Sequence, residues 1–443
     1  MNNDYLKRKI DGELLQWKNS QRRKPLLLRG ARQVGKSSTV RELSKQFDFF
    51  VDVNFERDDL KYNVKTVFER GFDPKRICDE LSIIYGTQIA PERTLLFLDE
   101  IQACLPAISS LRYFYEEYPE LHVIAAGSLL EFALRELPSF GVGRIRSLFL
   151  YPFSFDEYLR ATGYSLLADA LLTASPEKPF SDAIHHSCLQ HLIRFILIGG
   201  MPEVVATYAR SGSLLDCQQV LNDIMITFYD DFAKYRERTP SSRLREIFAS
   251  VIHQTGGKFT YSHASQHANR LQIKESVELL ELAGIIYPVT HTSANGLPLA
   301  AETNPKHRKY LPLDTGIYQR FLRLDLGQLL SAQSLQQVNK GALAELFVGL
   351  ELLKSAPSTN PVELYYWLRE KSGSEAEVDY IVQSGSDIVP VEVKAGTKGA
   401  MQSMFQFLSE KKYPFGVRCS MENFGVYQNI KIYPMYAASR IVY

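Results

Sequence analysis

The sequence has no CxxC pair, and its five cysteines are scattered along 443 residues. An odd number of isolated cysteines argues against a disulfide framework or a zinc site and favours a reducing compartment. A run of about 18 apolar residues, the length that a membrane helix needs, is also missing. The first residues carry charges where a signal peptide has its apolar core. We therefore expect a cytoplasmic chain that is neither exported nor membrane-spanning.

Net charge is nearly absent as well, because 51 basic residues face 50 acidic ones. A basic face can be balanced by acidic surface elsewhere, so the total charge neither indicates nor excludes a nucleic-acid partner. No internal repeat or low-complexity segment is present. At roughly 100 to 200 residues per domain, the length predicts about two to four domains.

The first part of the chain alternates short β-type runs with helix-length sequence. The runs are PLLLR, FFVDVNF, TLLFLDE, LHVIAAGS and SLFLYPF. Such alternation is typical of a parallel sheet with helices on both faces. We predict an α/β fold with a P-loop parallel-sheet domain over residues 1–160.

The rest of the chain predicts three further regions. Residues 161–240 have apolar residues at helical spacing and predict a helical lid or linker. Residues 241–300 read as helix, polar turn, helix and β-type hairpin, which is a winged-helix layout. Residues 301–443 contain the helical run GALAELFVGLELLKS and several β-type runs, and they predict a second α/β domain.

The octapeptide GARQVGKS fits the phosphate-binding pattern GxxxxGK[ST], with a strand before it and a helix after it. Backbone N–H groups at the helix start would wrap a β-phosphate, Lys36 would reach the β- and γ-phosphates, and Ser37 would ligate Mg²⁺. The glycines let the backbone approach the phosphates closely. The predicted nucleotide-binding residues here are Gly30, Ala31, Arg32, Gln33, Val34, Gly35, Lys36, Ser37 and Ser38.

A second nucleotide motif, TLLFLDE, follows the loop by about sixty residues. Four apolar residues run into Asp99 and Glu100 at a strand end, where Asp99 would hold Mg²⁺ through water and Glu100 would act as the general base. Ser128, at the end of the next β-type run, is placed to sense the γ-phosphate if its strand lies between those of the two motifs. A serine in a turn is otherwise ordinary.

Arg144 and Arg146 in GRIRSLFL are candidates for an arginine finger supplied to a neighbouring subunit. Each of these arginines is equally compatible with being a solvated charge at a strand edge. The sequence leaves both interpretations open.

Taken in order, the runs LLLRGARQVGKSS, LLFLDEIQ, VIAAGSLLEF, GRIRSLFLYPFSFDEYL, GGMPEVV and YLPLDTGIYQ extend over most of the chain. They resemble a bacterial and archaeal group of AAA-type ATPases with a C-terminal domain of unknown function. The resemblance implies ATP and Mg²⁺ as cofactors. In related signalling ATPases a GxP turn lies against the adenine, which by resemblance makes Pro202 an adenine contact; a simple helix break is the alternative.

The stretch EVDYIVQSGSDIVPVEVKAG predicts a hairpin that turns at Gly385 and Ser386. This register sets Asp379 directly opposite Glu392, with Cβ atoms roughly 4.5 to 5.5 Å apart. Two carboxylates at that distance repel each other unless a cation lies between them. Strict alternation would put Val378, Tyr380, Val382, Val389, Val391 and Val393 on a core face, and Glu377, Asp379, Glu392 and Lys394 on the other.

An aspartate followed by Glu-x-Lys on the next strand resembles the active site of restriction-endonuclease-like nucleases. That resemblance implies that Asp379 and Glu392 bind Mg²⁺ and that Lys394 stabilises or activates the attacking water. Glu345, in the preceding helix, matches an acidic helix residue often found in that fold. No second acidic residue in that helix is clearly placed for a second metal.

The winged-helix segment carries modest positive charge near its predicted turn and second helix: Lys258, His263, His267, Arg270 and Lys274. The start of the second helix offers Gln272, Lys274 and Glu275 for reading base edges. Winged helices in such ATPases also pack against the nucleotide lid as protein contacts, so DNA binding and protein binding both stay open.

Two functions are compatible with the sequence. The first is an ATP-regulated, Mg²⁺-dependent nuclease that acts on DNA, with Asp379, Glu392, Lys394 and Glu345 at the cutting centre. The second is an ATP-driven switch or scaffold whose C-terminal domain binds protein or nucleic acid without cutting. Both need the P-loop domain, and a protein partner or homo-oligomer is compatible with either.

Overall fold

The computed structural model describes residues 5–137, 143–235, 239–324, 340–369, 376–397 and 399–442. Two compact units divide the chain. Unit 1 comprises residues 1–151 with the short stretches 282–284 and 357–361, and unit 2 comprises the remainder. The four domain ranges expected from the sequence stay predictions.

Unit 1 is an α/β unit in which helices and strands alternate, as predicted. Its strands are β1 (Leu26–Arg29), β2 (Phe49–Asn54), β3 (Thr94–Asp99), β4 (His122–Ala126) and β5 (Arg146–Phe149). Its helices are α1 (Ile10–Lys18), α2 (Lys36–Ser44), α3 (Asp59–Tyr62), α4 (Lys65–Glu69), α5 (Pro74–Tyr85), α6 (Leu105–Glu117) and α7 (Leu130–Glu136).

The five strands of unit 1 form one parallel sheet in the order β2-β3-β4-β1-β5. Strand β4 therefore lies between β1 and β3, which is the condition on which the sensor role of Ser128 depended. Side chains on both faces of the central strands are buried. For example, the consecutive residues Leu95, Leu96, Phe97 and Leu98 all have no exposed surface. Such two-sided burial is what a helix-covered parallel sheet requires.

His122, at the start of β4, is buried between the rings of Trp17 and Phe47. Its Nε2 lies 3.1 Å from the carbonyl oxygen of Lys18. Burial lowers the pKa of His122 to about 4, and the positive charges of Arg23 and Lys18 add to the effect. The folded protein thus holds this imidazole neutral in acid where the unfolded chain would protonate it.

We expect acid to destabilise unit 1 through His122. The ordinary histidine pKa is 6.5, so the unfolded state binds more protons between pH 6.5 and pH 4, and stability falls through that window by at most about 1.4 kcal/mol per pH unit. Chemical unfolding of wild type and His122→Gln across this range measures the effect. The free energy of unfolding should change less with pH in His122→Gln than in the exposed control His186→Gln. Equal slopes in the two variants would show that His122 is not the source of the pH dependence.

Unit 2 contains the remaining helices and a second sheet. The helices are α8 (Phe155–Ala161), α9 (Ser165–Leu171), α10 (Asp182–Ile198), α11 (Pro202–Ser211), α12 (Leu214–Asp231), α13 (Ser241–His253), α14 (Arg270–Leu282), α15 (Thr315–Phe321), α16 (Lys340–Ser355) and α17 (Gln402–Lys411). The strands are β6 (Ile286–Thr292), β7 (Thr303–Pro312), β8 (Leu364–Leu368), β9 (Glu377–Ser384), β10 (Asp387–Val393), β11 (Gly416–Ser420), β12 (Gly425–Tyr427) and β13 (Ile430–Pro434).

The sheet of unit 2 is mixed and has eight strands, in the order β12-β13-β11-β10-β9-β8-β6-β7. The predicted succession of helix, polar segment, helix and hairpin is present as α13, α14, β6 and β7. The hairpin does not stand alone, however, because β6 also pairs in parallel with β8. Its two strands thus extend the sheet that contains the C-terminal carboxylates.

The hairpin of β9 and β10 has the predicted register, with Val391 opposite Tyr380 and Asp387 opposite Ser384. Strict alternation along β9 fails, because the pairing of β8 with β9 shifts by one position between Tyr365 and Trp367. Val378 packs in an apolar cluster with Trp367 and α17, whereas the Tyr380 hydroxyl donates to a carbonyl of α16. An irregularity of this kind re-aims side chains, so the two residues do not share the one core face predicted.

In the described part of the chain, no helix combines the length and the apolar character needed to cross a membrane.

Candidate functional site

The phosphate-binding loop joins the end of β1 to the start of α2 and has three residues with positive φ, at Gly30, Gln33 and Gly35. A Cβ atom on Gly30 would lie 2.1 Å from the carbonyl oxygen of Leu150, so only glycine fits there. Ala31 and Val34 are fully buried and offer backbone groups rather than side chains to a ligand. The loop is therefore shaped by its backbone, as the motif predicted.

Lys36 lies across this loop, with its Nζ donating to the carbonyl oxygens of Gly30 (2.9 Å) and Ala31 (2.7 Å). Burial lowers the pKa of Lys36 to about 8, against the opposing effect of the Glu100 and Asp99 carboxylates. An anionic phosphate beside the ammonium group would favour its charged form. The side chain is thus held close to the loop backbone that a phosphate would contact.

Ser37 and Asp99 converge at the carboxyl end of the sheet. The Ser37 hydroxyl lies 3.0 Å from each carboxylate oxygen of Asp99. Burial raises the pKa of Asp99, although the bond from Ser37 opposes the rise. A hydroxyl and a carboxylate side by side are oxygen donors of the kind that Mg²⁺ prefers. The pair therefore fits the predicted magnesium role, with Asn54, whose amide lies 3.5 Å from Asp99, next to it.

Glu100 follows β3 with a left-handed backbone conformation, at φ 51°. Its Oε2 accepts from the Gln102 amide (2.7 Å) and from the Ser128 hydroxyl (3.3 Å). Gly127 leaves room for the Gln102 side chain, because a Cβ there would lie 2.0 Å from the Gln102 Oε1 and would displace that side chain. The structure thus joins Glu100 and Ser128, which the sequence had suggested separately, and adds Gln102 as the residue that orients Glu100.

Arg144 and Arg146 are exposed near the amino end of β5, where Arg146 pairs with Leu26. That edge of the parallel sheet is opposite the one from which the phosphate loop emerges after Arg29. Arg144 forms an ion pair with Glu116. Neither arginine approaches the phosphate loop of its own chain by this geometry, and a role as arginine finger for a neighbouring subunit stays a prediction.

Pro202 is the first residue of α11, where its missing N–H costs no hydrogen bond. The preceding turn is held by Asp314, whose buried carboxylate accepts from the backbone N–H of Gly200 at 2.6 Å. The same carboxylate caps α15 by accepting from Gly316 and Ile317. The turn thus has a clear structural role within unit 2, and an adenine contact by Pro202 stays a prediction.

Asp379 and Glu392 come one step beyond the last paired positions of β9 and β10, which are Tyr380 and Val391. One Asp379 oxygen accepts from the backbone N–H of Val393 at 2.7 Å. Glu392 is 6% exposed, and its Oε2 is buried without a hydrogen-bond partner among the described residues. Burial raises the pKa of Glu392, and the Asp379 carboxylate raises it further. The two carboxylates are therefore close enough for Asp379 to affect the pKa of Glu392, and their role as a metal site stays a prediction.

Two lysines offset part of the negative charge of this acidic cluster. Lys394 Nζ lies 2.7 Å from Glu392 Oε1. Lys309, which is 1% exposed, places its Nζ 2.8 Å from Glu345 Oε1 and also contacts Glu377. Burial alone would lower the pKa of Lys309, but the two carboxylates outweigh it and hold the pKa above its ordinary value. Sequence reasoning missed Lys309, because it lies on β7, outside the quoted nuclease-like motif.

The fit of a metal ion to this cluster is partial. The unpartnered Glu392 oxygen beside Asp379 is an acceptor that a cation would satisfy. Within the described ranges, however, no set of three or more His, Cys, Asp or Glu side chains is arranged to hold a metal. Glu345 is already paired with Lys309. Two carboxylates, rather than three, are thus left facing a possible ion.

The predicted base-reading residues at the start of α14 are engaged locally. Gln272 and Asn269 cap the helix reciprocally, with bonds of 3.1 and 3.0 Å to each other's backbone N–H groups. Lys274 lies 3.6 Å from Glu278 on the same helix. These contacts are compatible with an exposed helix start but add no evidence that it reads DNA.

Comparison with protein families assigns three parts of the chain. Residues 22–159 match the profile of an AAA domain. This match supports an AAA-type ATPase fold for residues 22–159. Residues 189–328 and 340–438 match two profiles described as domains of unknown function, DUF8612 and DUF4143.

No curated protein matches the chain. Among solved structures, the Walker-type ATPase PABY2304 of Pyrococcus abyssi is 16% identical and covers 73% of this chain and 97% of its own, with a TM-score of 0.46. The Aeropyrum pernix ORC1 protein in complex with DNA is 12% identical and covers 74% of this chain and 92% of its own, with a TM-score of 0.29. Drosophila ORC bound to DNA is 14% identical and covers 71% of this chain and 85% of its own, with a TM-score of 0.23. These low scores carry no argument about function.

The AAA-type domain contains every residue predicted around the phosphate loop except Pro202, which lies in unit 2. Asn54 and Gln102 are the residues that the sequence did not single out there. Asn54 ends the strand next to β3, so a polar residue at a neighbouring strand end was the available signal for it. Gln102 follows Glu100 by two positions.

Proposed function

We propose that the chain is an ATP-binding and ATP-hydrolysing AAA-type protein whose nucleotide state controls a C-terminal, nuclease-like, Mg²⁺-dependent domain that acts on DNA. The ATPase half is supported by four side chains at one edge of the parallel sheet: Lys36, Ser37, Asp99 and Glu100. Lys36 would bind the β- and γ-phosphates, and Glu100 would polarise the attacking water. Mg²⁺, held by Ser37 and Asp99, would supply charge neutralisation at the phosphates.

The nuclease-like half rests on the unpartnered Oε2 of Glu392. A buried carboxylate oxygen without a partner is costly, and Asp379 opposite it adds a second negative charge. A divalent cation would satisfy both, and it would supply Lewis-acid polarisation of a phosphoryl oxygen. Lys394, beside Glu392, would orient or activate the water. Glu345 would act through Lys309 by fixing the charge balance next to Asp379.

A non-cleaving switch or scaffold is the second candidate, and a specific observation favours it. Lys394 and Lys309 already pair with Glu392 and Glu345, so the protein's own side chains offset part of the negative charge of the cluster. Such a site suits binding of nucleic acid or protein as well as cleavage. In this case ATP would still drive the switch, and a homo-oligomer with Arg144 as its finger would be compatible with it.

The experiment that separates the two is a cleavage assay on the full chain. We expect wild type to cut supercoiled plasmid or single-stranded DNA with Mg²⁺ or Mn²⁺, and Asp379→Ala to lose this activity because a metal ligand is removed. Asp387→Ala, exposed at the hairpin turn, is the matched control and should cut normally. Running each reaction with and without ATP measures the coupling. Absence of cutting under every condition, with ATP hydrolysis intact, would select the switch.

A further inference from the structure

A cavity of about 520 Å³ in unit 2 is lined by two parts of the chain that carry separate predicted sites. One wall is the end of α13 and the segment that follows it, with His253, Lys258 and His263. The other wall is the carboxylate cluster, with Glu345, Asp379 and Lys394. The predicted winged-helix turn and the predicted nuclease-like centre therefore border the same space.

The basic wall is held by its own hydrogen bonds. The Gln254 side chain spans the turn by accepting from the Thr260 N–H (2.7 Å) and donating to the Thr260 carbonyl (3.3 Å). Phe259 is buried, and its N–H donates to the carbonyl of Arg308 at 2.8 Å. Since Arg308 precedes Lys309 on β7, this bond fixes the basic wall next to the carboxylate cluster.

Gly256 brings the two walls together. It has a φ of 85°, and a Cβ there would lie 2.9 Å from the backbone Cα of Ala342 on α16 and 3.6 Å from Glu345 Oε2. Any side chain at this position would push the segment away from α16. Gly257, also in the cavity wall, would place a Cβ no closer than 3.7 Å to any atom, which is an ordinary contact.

The chemistry of the cavity matches one phosphate-bearing unit. Lysine and imidazolium side chains donate hydrogen bonds to phosphate oxygens, and here they lie across from Asp379, a carboxylate that would share a cation with the same phosphate. A volume of about 520 Å³ is in the range of sites for single small molecules, far less than a duplex requires. An unpaired or extruded nucleotide is of a size to enter such a cavity.

We propose that this cavity binds one nucleotide of a single DNA strand, with its phosphate between Lys258 and the Asp379 side of the carboxylate cluster. The inference rests on the proposed nuclease-like function and adds the substrate class: single-stranded or frayed DNA rather than intact duplex. Duplex recognition by α14 is the competing arrangement. Arg270 and Lys274 on that helix do not line the cavity.

Binding of a fluorescent 12-nucleotide single strand to the full chain, followed by anisotropy with Ca²⁺ in place of Mg²⁺, tests the proposal. Lys258→Ala should weaken binding severalfold and reduce the salt dependence by about one phosphate contact. Lys306 is exposed on β7 outside the cavity, so Lys306→Ala should bind the strand like wild type. Thymidine 3′,5′-bisphosphate, which carries two phosphates on one nucleotide, should compete with the strand.

A pair of glycine variants tests the geometry independently. Gly256→Ala should lose single-strand binding because the basic wall moves, whereas Gly257→Ala should retain it. If Gly256→Ala fails to fold, the Lys258 measurement alone decides.

Three outcomes would overturn the inference: equal binding by wild type and Lys258→Ala, a preference for duplex that Lys274→Ala abolishes, or no binding of any DNA. Thermal stabilisation of wild type by Mn²⁺, lost in Asp379→Ala, is measured in parallel. If Mn²⁺ stabilises the protein but single strands do not bind, only the substrate inference fails. If Mn²⁺ has no effect either, the proposed metal-dependent function fails with it.

Discussion

Glu100→Gln should retain ATP binding and lower ATP hydrolysis by about 10²- to 10⁴-fold, the usual contribution of a general base. Glutamine keeps the shape of the side chain and can still bond to Gln102 and Ser128, but it cannot take a proton from water. Steady-state phosphate release and binding of a fluorescent ATP analogue measure the two effects separately. The variant should therefore accumulate bound ATP.

Two controls define this result. Glu117→Gln, exposed at the end of α6, should hydrolyse ATP like wild type. Lys36→Ala should abolish turnover with the fold intact, because it removes the ammonium group that lies against the loop carbonyls of Gly30 and Ala31, where a phosphate would bind. If Glu100→Gln instead lost ATP binding, Glu100 would be a structural residue that holds Ser128 and Gln102. Undiminished hydrolysis in Lys36→Ala would show that the nucleotide site is elsewhere.

Lys309→Met should destabilise unit 2 by about 3 to 5 kcal/mol, the typical cost of removing one partner from a buried ion pair. The methionine keeps the length of the side chain but leaves Glu345 and Glu377 without their shared cation. Thermal unfolding of the full chain measures the loss. Lys306→Met, exposed on the same strand, should unfold at the wild-type temperature.

The same variant reports on the metal site. A divalent ion can replace the lost ammonium charge between carboxylates, so Mn²⁺ should stabilise Lys309→Met more than it stabilises wild type. An unchanged melting temperature in Lys309→Met would show that the buried pair contributes nothing net. If Lys309→Met lowers the melting temperature strongly and adding Glu345→Gln to the same chain restores it, the unpaired Glu345 charge is the cause of the loss.

The shape of the phosphate loop was largely predictable from the sequence, because a strand, a glycine-containing loop and a helix start follow one another along the chain. The steric limit at Gly30 was not, because the carbonyl oxygen that sets it belongs to Leu150, which is remote in sequence. The placement of Ser128 beside Glu100 was only conditional, since it depends on the strand order β3-β4-β1. Gln102 gave no signal, because nothing in its neighbourhood indicates that Gly127 leaves room for it.

The C-terminal site shows the opposite balance. The hairpin register follows from one short turn, and it was confirmed as far as Tyr380 and Val391, one step before Asp379 and Glu392. The faces of β9 were predicted wrongly, because the shift against β8 depends on a strand that is remote in sequence.

The sequence by itself determined the P-loop, the paired motif at the end of β3 and the carboxylate hairpin, since each is specified by residues that are neighbours along the chain. The tertiary structure decided that Lys309 neutralises Glu345 and Glu377 and that the segment around Lys258 shares a cavity with Asp379. Those juxtapositions arise when β7 and α16 pack together and when Gly256 permits close approach. Burial and sheet order act across long sequence separations, and no local pattern encodes them.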